Sequence, residues 1–175
     1  MVKVCGVGMM PLKRILLCLK NYQKRINMQA IFARGVNQEF GLKGGLPWGH
    51  NATDLAHFKE KTLGKILLCG KNTYKALPAA VFKGRTVKMV ERGEDIFEGD
   101  HSNSIIIGGT SLLTLENLNR CDTVWTTHVK GVFEADTYLN GDELCIFESG
   151  CLTEVLHDDE DIRIEEHTNC GVYNE

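Results

Sequence analysis

From residue 28 onward the chain alternates short apolar runs with amphipathic stretches, separated by glycine and polar residues. A continuous apolar run bounded by turn residues is typical of a strand that is buried on both faces. Apolar positions three and four residues apart are typical of a helix that packs one face on a sheet. The pattern predicts strands at residues 29–34, 65–69, 85–90, 104–107, 123–129, 144–147, 152–157 and 162–167, with helices that begin at Asn51 or Thr53, at residue 70, and at about residue 111.

The order of these elements predicts an α/β fold with three layers. Strands that alternate with helices form sheets covered on both faces, so we expect a mostly parallel central sheet. The last two strands are joined only by an acidic turn at residues 158–161, which is typical of a C-terminal antiparallel hairpin at a sheet edge. The sequence has 175 residues, of which 43% are hydrophobic, and residues 28–175 are predicted to form one domain.

Residues 1–27 are predicted to be a basic N-terminal extension, to which we assign no role. They contain six of the 20 lysines and arginines and no acidic residue. The apolar run at residues 15–19 is shorter than a signal-peptide core, which spans roughly seven to fifteen residues. A targeting peptide, a basic amphipathic arm and an extension upstream of a start at Met28 all fit this pattern.

The remainder of the chain is acidic, and the formal net charge of the sequence is −3. An acidic body disfavours a general nucleic-acid surface, which needs basic patches. The seven cysteines and six histidines show no spacing typical of a metal site, so we predict no metal and a reduced, cytoplasmic protein. No apolar run approaches the length of a membrane span, and we expect neither a membrane nor a nucleic acid as a partner.

Candidate chemistry begins in residues 41–62, where a glycine-rich loop ending in Trp48 leads into a helix. Asp54 lies in the first turn of that helix and shares a face with Leu55 and Phe58. The simpler interpretation is that Asp54 is a first-turn acid stabilised by the helix dipole. The functional interpretation is that Asp54 is a carboxylate on the apolar face of the helix, covered by the glycine-rich loop.

Two strand-to-helix junctions are candidate phosphate sites. The first reads Leu-Leu-Cys-Gly-Lys-Asn-Thr at residues 67–73, and the second reads Ile-Ile-Ile-Gly-Gly-Thr-Ser at residues 105–111. Glycine lets a ligand approach the backbone, and a helix start with a nearby lysine suits a phosphate. Neither junction has the G-x-G-x-x-G dinucleotide fingerprint. Together they indicate an extended phosphate-bearing ligand across the carboxyl ends of parallel strands.

Several short motifs follow one another through residues 28–175. They are Leu-Pro-Trp at 46–48, Asp-Leu-x-x-Phe-Lys-x-x-Thr at 54–62, Gly-Lys-x-Thr-Tyr at 70–74, Gly-Arg at 84–85, Ile-Gly-Gly at 107–109, Thr-His at 127–128 and Glu-Ala-Asp-Thr at 134–137. Each motif is short, but their order and spacing are together highly specific. The chain resembles dihydrofolate reductase, in a divergent form similar to phage-type members.

This resemblance implies NADPH-dependent reduction of dihydrofolate to tetrahydrofolate, for one-carbon and thymidylate synthesis, by a monomer or homodimer that antifolates inhibit. Asp54 would hydrogen-bond the pterin and promote protonation at N5 while hydride passes from NADPH to C6. Thr127 would bind Asp54 or the pterin amino group through water, and Trp48 belongs to the mobile loop that closes over the nicotinamide. Burial raises the pKa of Asp54 whereas the helix N-terminus lowers it, so desolvation has to dominate if the acid acts near neutral pH.

The binding residues implied by the resemblance form two sets. The substrate set is Ala33, Leu55, Phe58, Lys59, Leu77, Arg85 and Ile107, in which Arg85 would pair with the glutamate α-carboxylate of the substrate. The cofactor set is Ala33, Gly41, Leu42, Gly70, Lys71, Thr73, Arg92, Gly108, Gly109, Thr110, Ser111 and Leu112, and the Gly-Gly bond of the family is cis. Glu91 would place a negative charge beside the 2′-phosphate of NADPH, which lowers the expected preference for NADPH over NADH. Asp136 is expected to brace the active-site loop, with an ordinary turn acid as the alternative.

Two other classes of function remain open on the sequence alone. One is an NADPH reductase of a pyrimidine in the riboflavin pathway, which shares the fold but would not be expected to combine Leu-Pro-Trp, Asp54 and Arg85. The other is a non-catalytic folate-binding or structural protein, in which Asp54 is retained while cofactor residues are altered.

Overall fold

The computed structural model describes residues 28–99 and 101–168. Within them the chain forms nine strands in two sheets. The strands are β1 (Gln29–Gly35), β2 (Glu39–Gly41), β3 (Ile66–Gly70), β4 (Thr86–Val90), β5 (Ser104–Gly108), β6 (Thr123–Val129), β7 (Thr137–Tyr138), β8 (Leu152–Asp158) and β9 (Ile162–Thr168). Seven of them form one sheet in the order β4-β3-β5-β1-β6-β9-β8, and β2 pairs with β7 in a small second sheet.

The large sheet is parallel from β4 to β6 and antiparallel at its C-terminal edge. β1 is central, and its pairing with β6 runs without interruption from Gln29↔Thr123 to Gly35↔Val129. β8 and β9 form the edge hairpin, and β9 is antiparallel to β6. The mostly parallel α/β sheet and its terminal hairpin confirm the fold predicted from the sequence.

Four α-helices and one 3-10 helix connect the strands. They are α1 (Ala52–Thr62), α2 (Lys71–Ala76), the 3-10 helix (Ala79–Phe82), α3 (Leu115–Asn119) and α4 (Gly141–Ser149). Asn51, Thr114 and Asn140 cap α1, α3 and α4 through their side-chain oxygens. These residue types are preferred at helix N-caps because their side chains accept from otherwise unpaired backbone N–H groups.

Two predicted elements differ from the structure. The strand predicted at residues 144–147 is wrong, because this apolar run lies inside α4, where Leu144 and Phe147 face the core three residues apart and Ile146 is exposed. A short apolar run has no periodicity that separates a strand from a helix. The helix predicted from residue 111 begins only at Leu115, after a turn in which Leu112 N and Leu113 N both donate to Gly109 O.

The hydrophobic core lies on both faces of the sheet. On one face Phe32, Ile106 and Val124 pack with Leu144 and Phe147 of α4. On the other face the strand residues are Ile31, Leu67, Ile105, Ile107 and Trp125, against which Phe58 and Leu77 pack. Successive strand residues point to opposite faces, so β1 and β6 each contribute to both cores. The face covered by α1 is the one that carries the candidate active site.

Among the described residues, no helix has the length and the apolar character needed to cross a membrane. Among the described residues, Cys69, Cys121 and Cys145 are free thiols.

Candidate active site

Helix α1 places Asp54 beside Thr127 of β6, an interior strand of the sheet. The side-chain oxygen of Asn51 accepts a hydrogen bond from Asp54 N at 2.9 Å, which fixes the first turn. The carboxyl is half-buried, and burial raises the pKa of Asp54 above its ordinary value. A hydrogen bond with Thr127 and the charge of His57 act in the opposite direction without cancelling the effect of burial. Desolvation therefore dominates, which is the condition for an acid that works near neutral pH.

The strand pair β1–β6 faces this acid. Ala33 and Thr127 are neighbours in the register of the two strands, and Thr127 is buried with its hydroxyl against the Asp54 carboxyl. The His57 ring meets the ring of Trp125 edge-on, with 6.4 Å between the ring centroids.

His57 is the residue near the acid that sequence reasoning missed. Its Nε2 is buried and has no hydrogen-bond partner among the described residues. Burial lowers the pKa of His57, Lys61 lowers it further, and the carboxylates of Asp54, Glu60 and Glu166 raise it. The spacing could have indicated His57, because it is three residues after Asp54 on one helix and the two residues share a face.

Arg85 lies over the ring of Phe58, with 5.8 Å between the guanidinium carbon and the ring centroid. Three hydrogen bonds hold the guanidinium, from Nε to Thr62 Oγ1 at 2.8 Å and from Nη1 to the carbonyl oxygens of Val81 and Lys83 at 3.3 and 3.2 Å. Phe58 is one helical turn after Asp54. Asp54 and the ring that Arg85 covers therefore lie on one face of α1.

The other residues expected to bind substrate are either buried or half-buried apolar residues that line the cleft or exposed residues at its edge. Leu77 and Phe58 are half-buried and pack on the same core cluster as Ile107, which is buried. Leu55 is 39% exposed, and Lys59 is exposed. An apolar wall with exposed residues at its edge is typical of a cleft that holds a flat ring.

The glycine-rich loop is fastened to the segment before β7. Asp136 N donates to Gly41 O at 2.9 Å, and the Asp136 carboxylate accepts from Lys43 N at 2.7 Å. These bonds give Asp136 the bracing position expected for it. Trp48 meets Phe133 edge-on at 5.7 Å, and Trp48 Nε1 is buried without a hydrogen-bond acceptor among the described residues.

The two glycine junctions meet at the carboxyl ends of β3 and β5. A Cβ atom at Gly109 would lie 3.2 Å from Gly70 N, and one at Gly108 would lie 3.3 Å from Thr73 Cγ2. Gly109 has φ +93°, which favours glycine. The expected cis bond between Gly108 and Gly109 is wrong, because no described peptide bond is cis. Gly108 and Gly109 both have positive φ angles, and Gly109 lies against the backbone of Gly70.

The remaining residues expected to bind cofactor differ in accessibility. Lys71, Arg92, Thr110 and Ser111 are exposed, and neither cation forms an ion pair within the described part of the chain. Leu112 is buried in the core, its N–H donates to Gly109 O, and its carbonyl accepts from Asn117. Leu112 therefore supports the turn from inside.

A groove of about 580 Å³ lies between the loop and α2. Its lining residues are Lys43, Gly44, Gly45, Asn72, Lys75 and Ala76. The loop edge is a short bridge in which Leu42 and Gly45 exchange two backbone hydrogen bonds, at 3.0 and 2.8 Å.

The chain fits a phosphate-bearing dinucleotide. Gly70 and Gly109 have no Cβ atoms, and their backbones are in contact at this junction. The absence of side chains would let a pyrophosphate approach the backbone closely. Lys71 follows that junction and Arg92 follows β4, the neighbouring strand, so both could meet phosphate charge.

A family model described as dihydrofolate reductase matches residues 27–161. Among curated proteins, dihydrofolate reductase type 8 of Escherichia coli is 28% identical over 166 residues, which cover 81% of this chain and 90% of that protein. Dihydrofolate reductase of Mycoplasma genitalium is 27% identical over 134 residues, which cover 65% of this chain and 82% of that protein.

A solved structure of dihydrofolate reductase from Enterococcus faecalis, complexed with NADP(H) and RAB-propyl, has a similar fold. The TM-score is 0.62 and the sequence identity is 24%, and the match covers 82% of this chain and 96% of that one.

Proposed function

Because the chain belongs to the dihydrofolate reductase family, we propose that it reduces dihydrofolate to tetrahydrofolate with NADPH as the hydride donor. The observation that carries this proposal is the position of Asp54. It is a half-buried carboxyl whose pKa is raised by burial, and it shares a helix face with Phe58, over whose ring the guanidinium of Arg85 lies. A flat heterocycle with an anionic tail fits between such groups.

The acid end of the site would recognise the pterin. A carboxylate can accept two hydrogen bonds from the 2-amino group and N3 of a pterin, a pairing in which both donors meet one planar acceptor. Thr127 orients that carboxyl from β6. With its pKa raised, Asp54 holds or supplies a proton at a higher pH than an exposed aspartate, which favours protonation at N5.

The opposite end would bind the glutamate tail. The Arg85 guanidinium is held by Thr62 and by two carbonyl oxygens, so its orientation is fixed before a ligand arrives. A fixed planar fork loses little side-chain entropy when it pairs with a carboxylate. This geometry favours a folate over a pterin that lacks the tail.

NADPH, when bound, supplies the hydride. Residues on this chain that would hold it are Gly70, Lys71, Thr73, Gly108 and Gly109, with Arg92 toward the 2′-phosphate. Asp136 braces the loop from Gly41, and Trp48 lies at the loop's end. A closed loop would exclude water from the transferring hydride.

The relative use of NADPH and NADH depends on the end of β4. Glu91 and Arg92 are both exposed there, so the two charges would oppose each other near a 2′-phosphate. Steady-state KM values for both cofactors measure the outcome. A lower KM for NADPH supports the role of Arg92, and equal values would contradict it.

One assay separates this proposal from the two other classes. The purified full chain is mixed with NADPH and dihydrofolate, and loss of NADPH absorbance is followed with and without methotrexate. We expect turnover that requires dihydrofolate and stops with methotrexate. A pyrimidine reductase would turn over an aminopyrimidine instead, and a non-catalytic folate-binding protein would bind methotrexate without consuming NADPH.

A further inference from the structure

A cluster of two histidines and a glutamate lies on the face of the sheet opposite Asp54. In the antiparallel register of β6 and β9, Thr126 is paired with Glu165, while Val124 is paired with His167 and His128 with Arg163. Thr127 points to the α1 face, so its neighbours Thr126 and His128 point to the face covered by α4. His128, Glu165 and His167 thus meet on that face from two strands.

The three side chains bring their ligand atoms close together. One Glu165 oxygen, Oε2, is 3.0 Å from His128 Nε2 and 3.8 Å from His167 Nε2. All three atoms lie within 4.8 Å of one another. A tetrahedral metal ion with bonds of about 2.0–2.1 Å holds its ligand atoms roughly 3.3–3.4 Å apart. Small side-chain rotations would bring this cluster to that spacing.

Outer contacts already orient two of the three ligands. His167 Nδ1 is 3.0 Å from Thr153 Oγ1, which leaves Nε2 directed toward the cluster. The other Glu165 oxygen, Oε1, accepts from Arg163 Nε at 2.6 Å, which leaves Oε2 for the histidines. Hydrogen bonds to the ligand atoms that face away from the ion fix the tautomer and the orientation of metal ligands. Thr126 Oγ1, at 3.2 and 2.9 Å from the two Nε2 atoms, satisfies them without a metal.

The surrounding charges are balanced. Arg34, which is next to His128 in the β1–β6 register, forms an ion pair with Glu148 at 2.7 Å. Arg163 bonds Glu165 and also approaches Asp158 at 3.3 Å. Each of these two arginines therefore has a carboxylate partner, and Arg163 would share Glu165 with the ion.

We propose that His128, Glu165 and His167 bind one divalent transition-metal ion of the Zn²⁺ type, at a site that fastens β6 to β9. Two imidazole nitrogens and one carboxylate suit Zn²⁺, Co²⁺ or Ni²⁺, whereas Mg²⁺ and Ca²⁺ prefer ligand sets made of oxygen. His167 is 1% exposed, and the Glu165 and His128 side chains are 13% and 25% exposed, so the ion enters from the His128 side. Because Asp54 lies on the other face of the sheet, the role is structural.

The test is metal titration of the chelator-treated full chain. We expect the wild type to bind one equivalent of Zn²⁺ by calorimetry, with a rise in Tm of about 5 °C or more at ~100-fold excess over Kd. His128→Gln should weaken binding at least ~10-fold. Glu165→Gln provides a second variant if the first does not fold.

The matched control is His157→Gln. His157 also contacts a carboxylate, Asp159 at 2.7 Å, but among the described residues it belongs to no cluster of three possible metal ligands. We expect this variant to bind like the wild type. With Co²⁺, a spectrum of nitrogen and oxygen ligands is expected.

Several results would overturn the proposal. They are the absence of saturable binding, wild-type affinity in both His128→Gln and Glu165→Gln, an equal loss in His157→Gln, or a thiolate-to-metal band that assigns the ion to cysteines.

Discussion

Replacing Gly109 by alanine tests whether the paired glycine junctions hold the cofactor. The new Cβ would lie 3.2 Å from Gly70 N and 3.4 Å from Gly70 Cα, both backbone atoms that cannot move alone. At φ +93° an L residue is also strained, at a cost of about 1–2 kcal/mol. The substitution therefore combines backbone strain with displacement of the β3 end.

Gly64→Ala provides the matched control. Gly64 has φ +75°, and a Cβ there meets nothing within 4 Å. It lies between α1 and β3, at the start of β3 rather than its carboxyl end. The control keeps the backbone strain of the first variant and removes its contact with the junction, so the difference between the two variants reports on the junction alone.

The assay is NADPH binding followed by tryptophan fluorescence, with Tm measured in parallel. For Gly64→Ala we expect Tm to fall by about 2–8 °C, because about 1–2 kcal/mol of backbone strain shifts Tm by roughly 2–4 °C per kcal/mol at this chain length. Gly109→Ala should lower Tm further, because the contact with Gly70 adds to the same strain. Gly109→Ala alone should weaken NADPH binding by ~10–100-fold, equivalent to about 1.4–2.8 kcal/mol. Equal NADPH affinities in the two variants would refute the assignment of the junction to the cofactor.

Three further substitutions test other parts of the structure. Glu39→Gln should cost about 1–3 kcal/mol at neutral pH, because backbone N–H donors to the buried carboxylate lose their charged acceptor. Burial raises the pKa of Glu39, but the hydrogen bonds to its carboxylate outweigh burial and hold the pKa below its ordinary value. The contribution to stability is therefore lost as pH falls through the folded-state pKa. Denaturant unfolding of the two proteins should converge in acid, and a constant difference would contradict this. Arg85→Lys should raise KM for dihydrofolate at least ~10-fold while leaving KM unchanged for a dihydropterin without the glutamate tail, and an equal change for both would refute the pairing. Asp136→Ala removes the acceptor of Lys43 N and should slow hydride transfer in single-turnover experiments, whereas an unchanged rate would separate this bond from loop closure.

The sheet was predictable because its strands are continuous apolar runs between turn residues. Residues 144–147 show the limit of that reasoning, since the same kind of run folds as part of α4 when Asn140 caps a helix before it. The start of α3 at Leu115 follows from two hydrogen bonds to Gly109 O that no periodicity reveals.

The candidate site was predictable where its residues lie close together in the sequence. Asp54 and Phe58 share one helix face, and that spacing was sufficient to group them. Grouping Arg85 with Phe58 as substrate residues needed the resemblance, because Arg85 lies in a separate connection before β4. Its position over the Phe58 ring is known only from the structure. His57 was overlooked although it is three residues from Asp54 on the same helix, and its ring contact with Trp125 on β6 depends on the tertiary structure.

Residue spacing along the sequence cannot predict contacts between side chains that meet only through the pairing of two strands. His128 and His167 come from β6 and β9, and only the antiparallel pairing of those strands brings them to one carboxylate. The histidines and cysteines show no metal-ligand spacing along any single element, which is why the sequence predicts no metal. A register of β6 against β9 shifted by one residue would point one pair to the opposite face.

The most direct test of the account is the pH dependence of hydride transfer in the wild type and in Asp54→Asn. The wild-type rate should fall as pH rises through the raised pKa of Asp54, because the carboxyl then loses the proton that favours reaction at N5. Asp54→Asn should bind NADPH like the wild type, lose that titration, and turn over at least ~100-fold more slowly at neutral pH. A rate in Asp54→Asn close to that of the wild type at neutral pH would contradict the central claim that this acid controls the reduction.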